Sequence, residues 1–184
     1  MIPTRITLIA FGAALLLAGT SAAQSSTTEA DSTDVARVDT YDGTISIVQL
    51  THPARARQFR VRLGSDVVFR DSVSLTVMLH TLTSWSGRRV ALLELASGGT
   101  GCPSMYRIVE FSEERRPRVS AEFGNCSDLP VVLLDGTRFR VRFPGFYTNY
   151  QARQPGFRPP PAATWEYLGD GRVRRVTGAA TGTR

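Results

Sequence analysis

Between residues 40 and 176 apolar side chains recur at every second position, and this period constrains the fold more than any other feature of the chain. Successive side chains of a strand point to opposite sides, so a period of two puts one side of each segment in a core and the other in water. Val73, Leu75, Val77 and Leu79 alternate with Ser74, Thr76, Met78 and His80, and their β-branched content favours strand over helix. Phe59, Val61 and Leu63 alternate with Arg60 and Arg62, and Phe139, Val141 and Phe143 with Arg138, Arg140 and Arg142. No stretch carries a convincing helical period.

Residues that tolerate a positive φ punctuate these runs. Gly64-Ser65, Asp135-Gly136 and Gly169-Asp170-Gly171 each fall between two apolar segments, the signal of a tight hairpin. With 43–50, 89–95, 105–111 and 118–123 added, about nine or ten short strands are expected. The predicted fold is all-β: a single-domain antiparallel meander that closes as a small barrel or folds as a two-layer sandwich, both remaining open.

The ends read differently. Arg5, the apolar run 6–18 and the small residues 19–23 follow the three-part pattern of a cleavable secretory signal, with cleavage after Ala23. A membrane anchor competes with that reading, but the run is 13 residues long, where a spanning helix needs roughly 20. A lipoprotein would need a cysteine just past it, and Leu17-Ala18-Gly19 leads into Thr20. Residues 24–39 have too little apolar surface to offset the entropy of ordering, and 177–184 are small and polar. The expected organisation is a signal peptide 1–23, a disordered lead 24–39, a β domain 40–176 and a disordered tail 177–184. The product is expected in the periplasm or outside the cell, with no transmembrane span.

Cys102 and Cys126 are the only cysteines, and an even number in a chain bound for an oxidising compartment points to a disulfide. If 105–111 and 118–123 form a hairpin, its centre falls near residue 114 and the cysteines lie 12 residues to either side. Equal distances from a hairpin centre place two residues opposite each other, at a separation that a disulfide can span. A second possibility makes Cys102 a nucleophile after the glycines at 98, 99 and 101, which requires a free thiol and a basic partner. The stretches LLELASGGTGCPSMYRIVEF and EFGNCSDL carry a resemblance over residues 92–128 to a pattern in small uncharacterised exported bacterial β-domain proteins: a glycine pair, Cys-Pro, then Phe-Gly-x-Cys-Ser-Asp. The resemblance implies secretion and the same disulfide; it brings no activity and no functional residue.

Motifs for catalysis or cofactors do not stand out. The glycines before Cys102 lack the Lys followed by Ser or Thr of a phosphate-cradling loop. His52 and His80 have no second ligand at metal spacing, so structural or solvent roles, no metal and no cofactor are expected. A Ser-His-Asp set assembled from distant positions stays open, although no G-x-S-x-G elbow is present.

Charge offers more. Beyond residue 39, 20 Arg stand against 12 acids, and the chain contains no Lys. If the strands bearing Arg60/Arg62, Arg138/Arg140/Arg142 and Arg172/Arg174 shared one exposed face, they would form a positive stripe able to collect an anionic polymer or an acidic protein. Envelope polysaccharide and lipid head groups fit that description, with nucleic acid the least expected. The plainer role of such arginines is solubility and edge protection, with Glu94, Glu110 or Glu122 as cross-strand partners. Residues 144–163 carry Phe146, Tyr147, Tyr150 and Phe157 among five prolines. They suit docking of a partner through Tyr147 and Tyr150, or a lid whose aromatics fold back to fill the core. The leading expectation is an exported, non-catalytic β domain that binds an anionic polymer or an envelope protein. The alternative is an envelope-acting hydrolase with a site under the 144–163 loop.

Overall fold

The computed structural model describes residues 31–40, 43–52, 55–112 and 115–176. These form strands β1 (Asp31–Thr40), β2 (Gly43–His52), β3 (Arg55–Leu63), β4 (Asp66–Asp71), β5 (Thr76–Trp85), β6 (Arg88–Ala96) and β7 (Ser104–Ser112). Then come β8 (Arg115–Val119), β9 (Phe123–Cys126), β10 (Val131–Asp135), β11 (Arg138–Phe143), the helical turn α1 (Asn149–Ala152), β12 (Ala163–Gly169) and β13 (Arg172–Arg175). They make three antiparallel sheets in chain order: β1-β2-β3-β4, β5-β6-β7-β8 with β9 also on β7, and β10-β11-β12-β13. The predicted all-β meander forms, the barrel does not, and the sandwich has a third layer.

The second sheet lies between the other two, because its central strands are apolar on both faces. Strand β6 reads RRVALLELA, and Val90, Ala91, Leu92, Leu93 and Leu95 are all buried. Consecutive rather than alternating burial is the mark of a strand covered on both sides. Ala91, Leu93, Leu95, Val109 and Phe111 pack toward the first sheet, on Ile45, Ile47, Phe59 and Val61. Val90, Leu92, Tyr106 and Ile108 pack the other way, on Phe139, Val141, Phe143 and Tyr167. Polar ties cross both seams. The buried Glu110 carboxylate accepts from Arg88 Nη1 at 2.8 Å, the Tyr167 hydroxyl at 2.6 Å and the Asp170 amide at 3.2 Å. Burial, with the Glu110 hydrogen bond, pushes the Tyr167 hydroxyl well above the usual phenol range. On the other seam the Arg107 guanidinium lies 5.1 Å from the Phe69 ring centre and donates to the Ser120 carbonyl at 2.9 Å.

Two segments depart from expectation. Residues 31–39, assigned above to the disordered lead, form most of β1 and pair with β2 from Asp31 opposite Thr51 to Thr40 opposite Gly43. Backbone pairing and the packing of Ala36 on the core hold this strand where its own apolar content does not. The ordered domain thus starts before Thr40. Val73 and Leu75 do not join a strand: the Asp71 carboxylate accepts from the Val73 and Ser74 amides, turning the chain, and Val73 is 87% exposed. The signal peptide 1–23, residues 24–30 of the lead and the tail 177–184 lie outside the described residues.

The disulfide joins Cys102 to Cys126 with their Cα atoms 4.6 Å apart. Pairing along β7 runs from Val109 opposite Val119 to Tyr106 opposite Phe123 and Ser104 opposite Cys126, so the ladder slips by two residues from hairpin symmetry, and Cys102 reaches Cys126 from just beyond the strand rather than from the directly facing position expected. It closes the loop that holds β8 and β9 on the central sheet. Replacing both cysteines by serine is expected to lower unfolding stability by about 3 kcal/mol. Urea denaturation measures it, and an unchanged midpoint would show that the link does not restrain the unfolded chain.

Candidate functional site

Phe59 and Val61 face the second sheet, so Arg60 and Arg62 point the other way, off the outer surface of the first sheet. Phe139 and Val141 do the same in the third sheet, sending Arg138, Arg140 and Arg142 off the opposite side of the stack. Arg172 and Arg174 flank the core-facing Val173 and join that second group. The single stripe therefore does not form. Two inter-sheet spacings of about 10 Å separate the faces.

On the first sheet, Asp34, Val48, Arg60 and Arg70 line up across β1 to β4, beside a row of Arg37, Ser46, Arg62 and Val67. Arg60 and Arg70 are direct cross-strand neighbours, an arrangement that repels unless something negative lies between. The Nε atoms of Arg60 and Arg62, like those of Arg107 and Arg140, are buried without a hydrogen-bond partner, and among the described residues of the first sheet no carboxylate faces them across the pair Arg60 and Arg70. A cavity of about 170 Å³ lined by Gln58, Phe59, Arg60, Arg70, Asp71 and Ser72 opens beside Arg60. Arg70 escaped the sequence reading because its strand, DVVFRD, shows only a short alternation.

On the third sheet the arginines are partly spoken for. Glu166 is buried, accepts from Arg174 Nε at 3.0 Å and lies 3.6 Å from Arg140 Nε. The Arg174 hydrogen bond, with Arg140 and Arg138 nearby, holds the Glu166 carboxyl below the usual range although burial opposes this. The acids expected to neutralise these rows go elsewhere: Glu94 accepts from the Ser104 hydroxyl at 2.6 Å, Glu110 pairs with Arg88, and Glu122 lies 3.2 Å from Arg107. Glu166 was missed because only the aligned register of β11, β12 and β13 sets it between Arg140 and Arg174. Since folding lowers its pKa, its stabilising contribution is present above the ordinary carboxylate value of about 4.3 and disappears as pH falls through the folded value. Glu166→Gln should flatten the dependence of stability on pH below about pH 4. Urea midpoints at pH 3 and pH 7 test this; an equal drop in variant and parent would refute it.

The loop of residues 144–162 closes on itself. Phe143 pairs with Ala163 at its neck, and Thr148 and Gln151 form a reciprocal cap on α1. The Tyr147 and Phe157 rings meet with centroids 5.0 Å apart, while Tyr150 is 76% exposed. Phe146, Tyr147, Tyr150 and Phe157 belong to neither core, so the expected lid over the β structure is corrected to an excursion with its own small aromatic contact. Gly145 sits where a Cβ would come within 1.7 Å of the Pro160 carbonyl oxygen. Gly145→Ala is expected to force the neck apart at a cost of about 1–3 kcal/mol. Faster proteolytic cutting inside the loop reports it, and an unchanged cutting rate would contradict the close approach.

The remaining candidates resolve simply. Both cysteines are in the disulfide, which removes the Cys102 nucleophile. His80 is exposed, with Nδ1 3.4 Å from the Thr81 hydroxyl and its ring edge toward Tyr106. His52 ends β2, and its side chain lies outside what is described. A second cavity, of about 510 Å³, is formed by Leu129, Val131, Leu133 and Arg142 with the loop neck at Pro144, Gly145 and Ala162. Its lining has one guanidinium and otherwise apolar groups, rather than a hydroxyl, an imidazole and a carboxylate. Among the described residues no helix is long and apolar enough to cross a membrane, and no His, Cys, Asp and Glu side chains gather as metal ligands. No family model, curated protein or solved structure matches this chain.

Proposed function

We propose that this protein is an exported, non-catalytic binding domain that holds an anionic polymer against the outer surface of its first sheet. The observation that carries the reading is the facing pair Arg60 and Arg70, with the Nε atoms of Arg60 and Arg62 buried and unpartnered. An unsatisfied buried donor costs about 1–3 kcal/mol. Carboxylate, sulfate or phosphate oxygens entering the cavity beside Arg60 would accept from its guanidinium and that of Arg70 and separate the like charges. A polymer suits the face better than a single anion, because Arg62, in the next row, adds positive charge beyond the cavity, while Arg37 in that row is 3.7 Å from Asp39. The intramolecular disulfide is the kind of bond that persists in an oxidising compartment, which supports export.

Retention on immobilised dextran sulfate measures this. The parent protein is expected to bind at low salt and elute as salt rises. The Arg60→Gln/Arg62→Gln variant should bind at least about tenfold more weakly at physiological salt. Arg138→Gln/Arg142→Gln, on the opposite side, should change retention less. Equal elution of the Arg60/Arg62 variant and the parent would sink the assignment.

A further inference from the structure

Strand β10 is an edge with no protection. It pairs with β11 along its whole length and ends the order of the third sheet, so its other side presents unpaired backbone N–H and C=O groups. Other outer strands carry devices that discourage pairing: a bulge in β1, an irregular register in β5, Pro117 in β8, and arginines on β4 and β13. Strand β10 reads VVLLD, with none of these. Val131 is 52% exposed, Leu133 41% and Leu134 50%, and Leu129 just before the strand is 65% exposed. Val131 and Leu133 also line the 510 Å³ cavity at the loop neck.

Charge selects what would cover this edge. Arg142 stands directly opposite Val131, opens into the same cavity, and has no ion pair among the described residues. Glu166 is already engaged by Arg174 and Arg140, so the surface beside β10 is net positive. A second copy paired edge to edge would bring the same arginine set across the seam. An acidic strand meets the opposite sign.

We infer that β10 is a docking edge for an extended segment of a partner protein, with apolar side chains and a carboxylate on the same face, which adds to the third sheet as a further strand. Backbone hydrogen bonds to β10 supply affinity, the groove at Val131 and Leu133 takes the apolar side chains, and Arg142 takes the carboxylate. This site lies across the stack from the polymer face and does not depend on it.

A fluorescein-labelled Val–Glu heptapeptide, Thr-Val-Thr-Glu-Thr-Val-Thr, whose Val and Glu side chains share one face, titrated with the full chain lacking residues 1–23, tests this by fluorescence anisotropy. Saturable binding is expected, at least tenfold weaker with Leu133→Glu, whose position is exposed and whose fold circular dichroism checks. On the parent protein, the same peptide N-methylated at alternate residues should not bind, because its strand donors are gone. Arg142→Gln should weaken the Glu peptide several-fold and leave a Val–Gln peptide unchanged. Any of three results would overturn the inference: no binding of the Val–Glu peptide, equal binding of the N-methylated peptide, or a dimer in sedimentation velocity that Leu133→Glu abolishes.

Discussion

Burial of the second sheet on both faces is the constraint from which the rest of the architecture follows. Leu92 and Leu93 are neighbours in sequence and both fully buried, so the two sides of β6 each need a covering layer. The first and third sheets supply those layers, and each then has one apolar face to spend and one face left to water. Hydrophobic burial scales with area removed from water, and three layers remove more than two strands' worth of alternation would suggest. The arginines of β3 and β11 are outward because Phe59, Val61, Phe139 and Val141 are inward.

Polar groups make the stack specific rather than merely greasy. Glu110 draws Arg88, Tyr167 and the Asp170 amide to one point, fixing the β12–β13 turn against the end of β6 and β7. A buried carboxylate without such partners would cost several kcal/mol. Its partners lie 57 and 60 residues away in the chain, so the third sheet can dock in few other positions. Arg107 performs a similar task on the opposite seam, combining a ring contact to Phe69 with hydrogen bonds to the 120s segment.

The two outer faces then acquire different chemistry from similar sequence. Both carry alternating arginines, yet Glu166 draws in Arg174 and Arg140 on the third sheet, while Arg60 faces Arg70 on the first. Both faces leave a guanidinium Nε without a hydrogen bond, but on the third sheet Arg140 has Glu166 3.6 Å away and the open feature is an apolar edge beside Arg142. An anionic polymer and an acidic strand are distinct demands, met on opposite sides of one small domain.

Three hairpins were legible from a positive-φ residue between alternating runs, while the Ser86-Gly87 turn joining β5 and β6 was not singled out. Gly64, Gly136 and the Asp170-Gly171 pair all adopt that conformation at strand ends, and the cysteine pair was legible, although the register around it slips by two residues. Strand parity was equally legible, since it is a property of local φ and ψ that each residue's neighbours reveal. What parity could not say was which side of which sheet an arginine would occupy, because that depends on where the layers stack. The consecutive leucines of β6 held the clue to a third layer, but a short apolar run looks alike in a strand covered once and a strand covered twice. The same ambiguity hid β10, whose apolar run resembles a core strand and turned out half exposed. Sequence alone determined most of the strands and turns and the covalent link, set by interactions within a few residues or across one hairpin, but not β1 or the break at Val73 and Leu75. The number of layers, the division of arginines and the open edge were decided only by contacts between distant segments, because burial is a relation between surfaces and no local pattern specifies its partner.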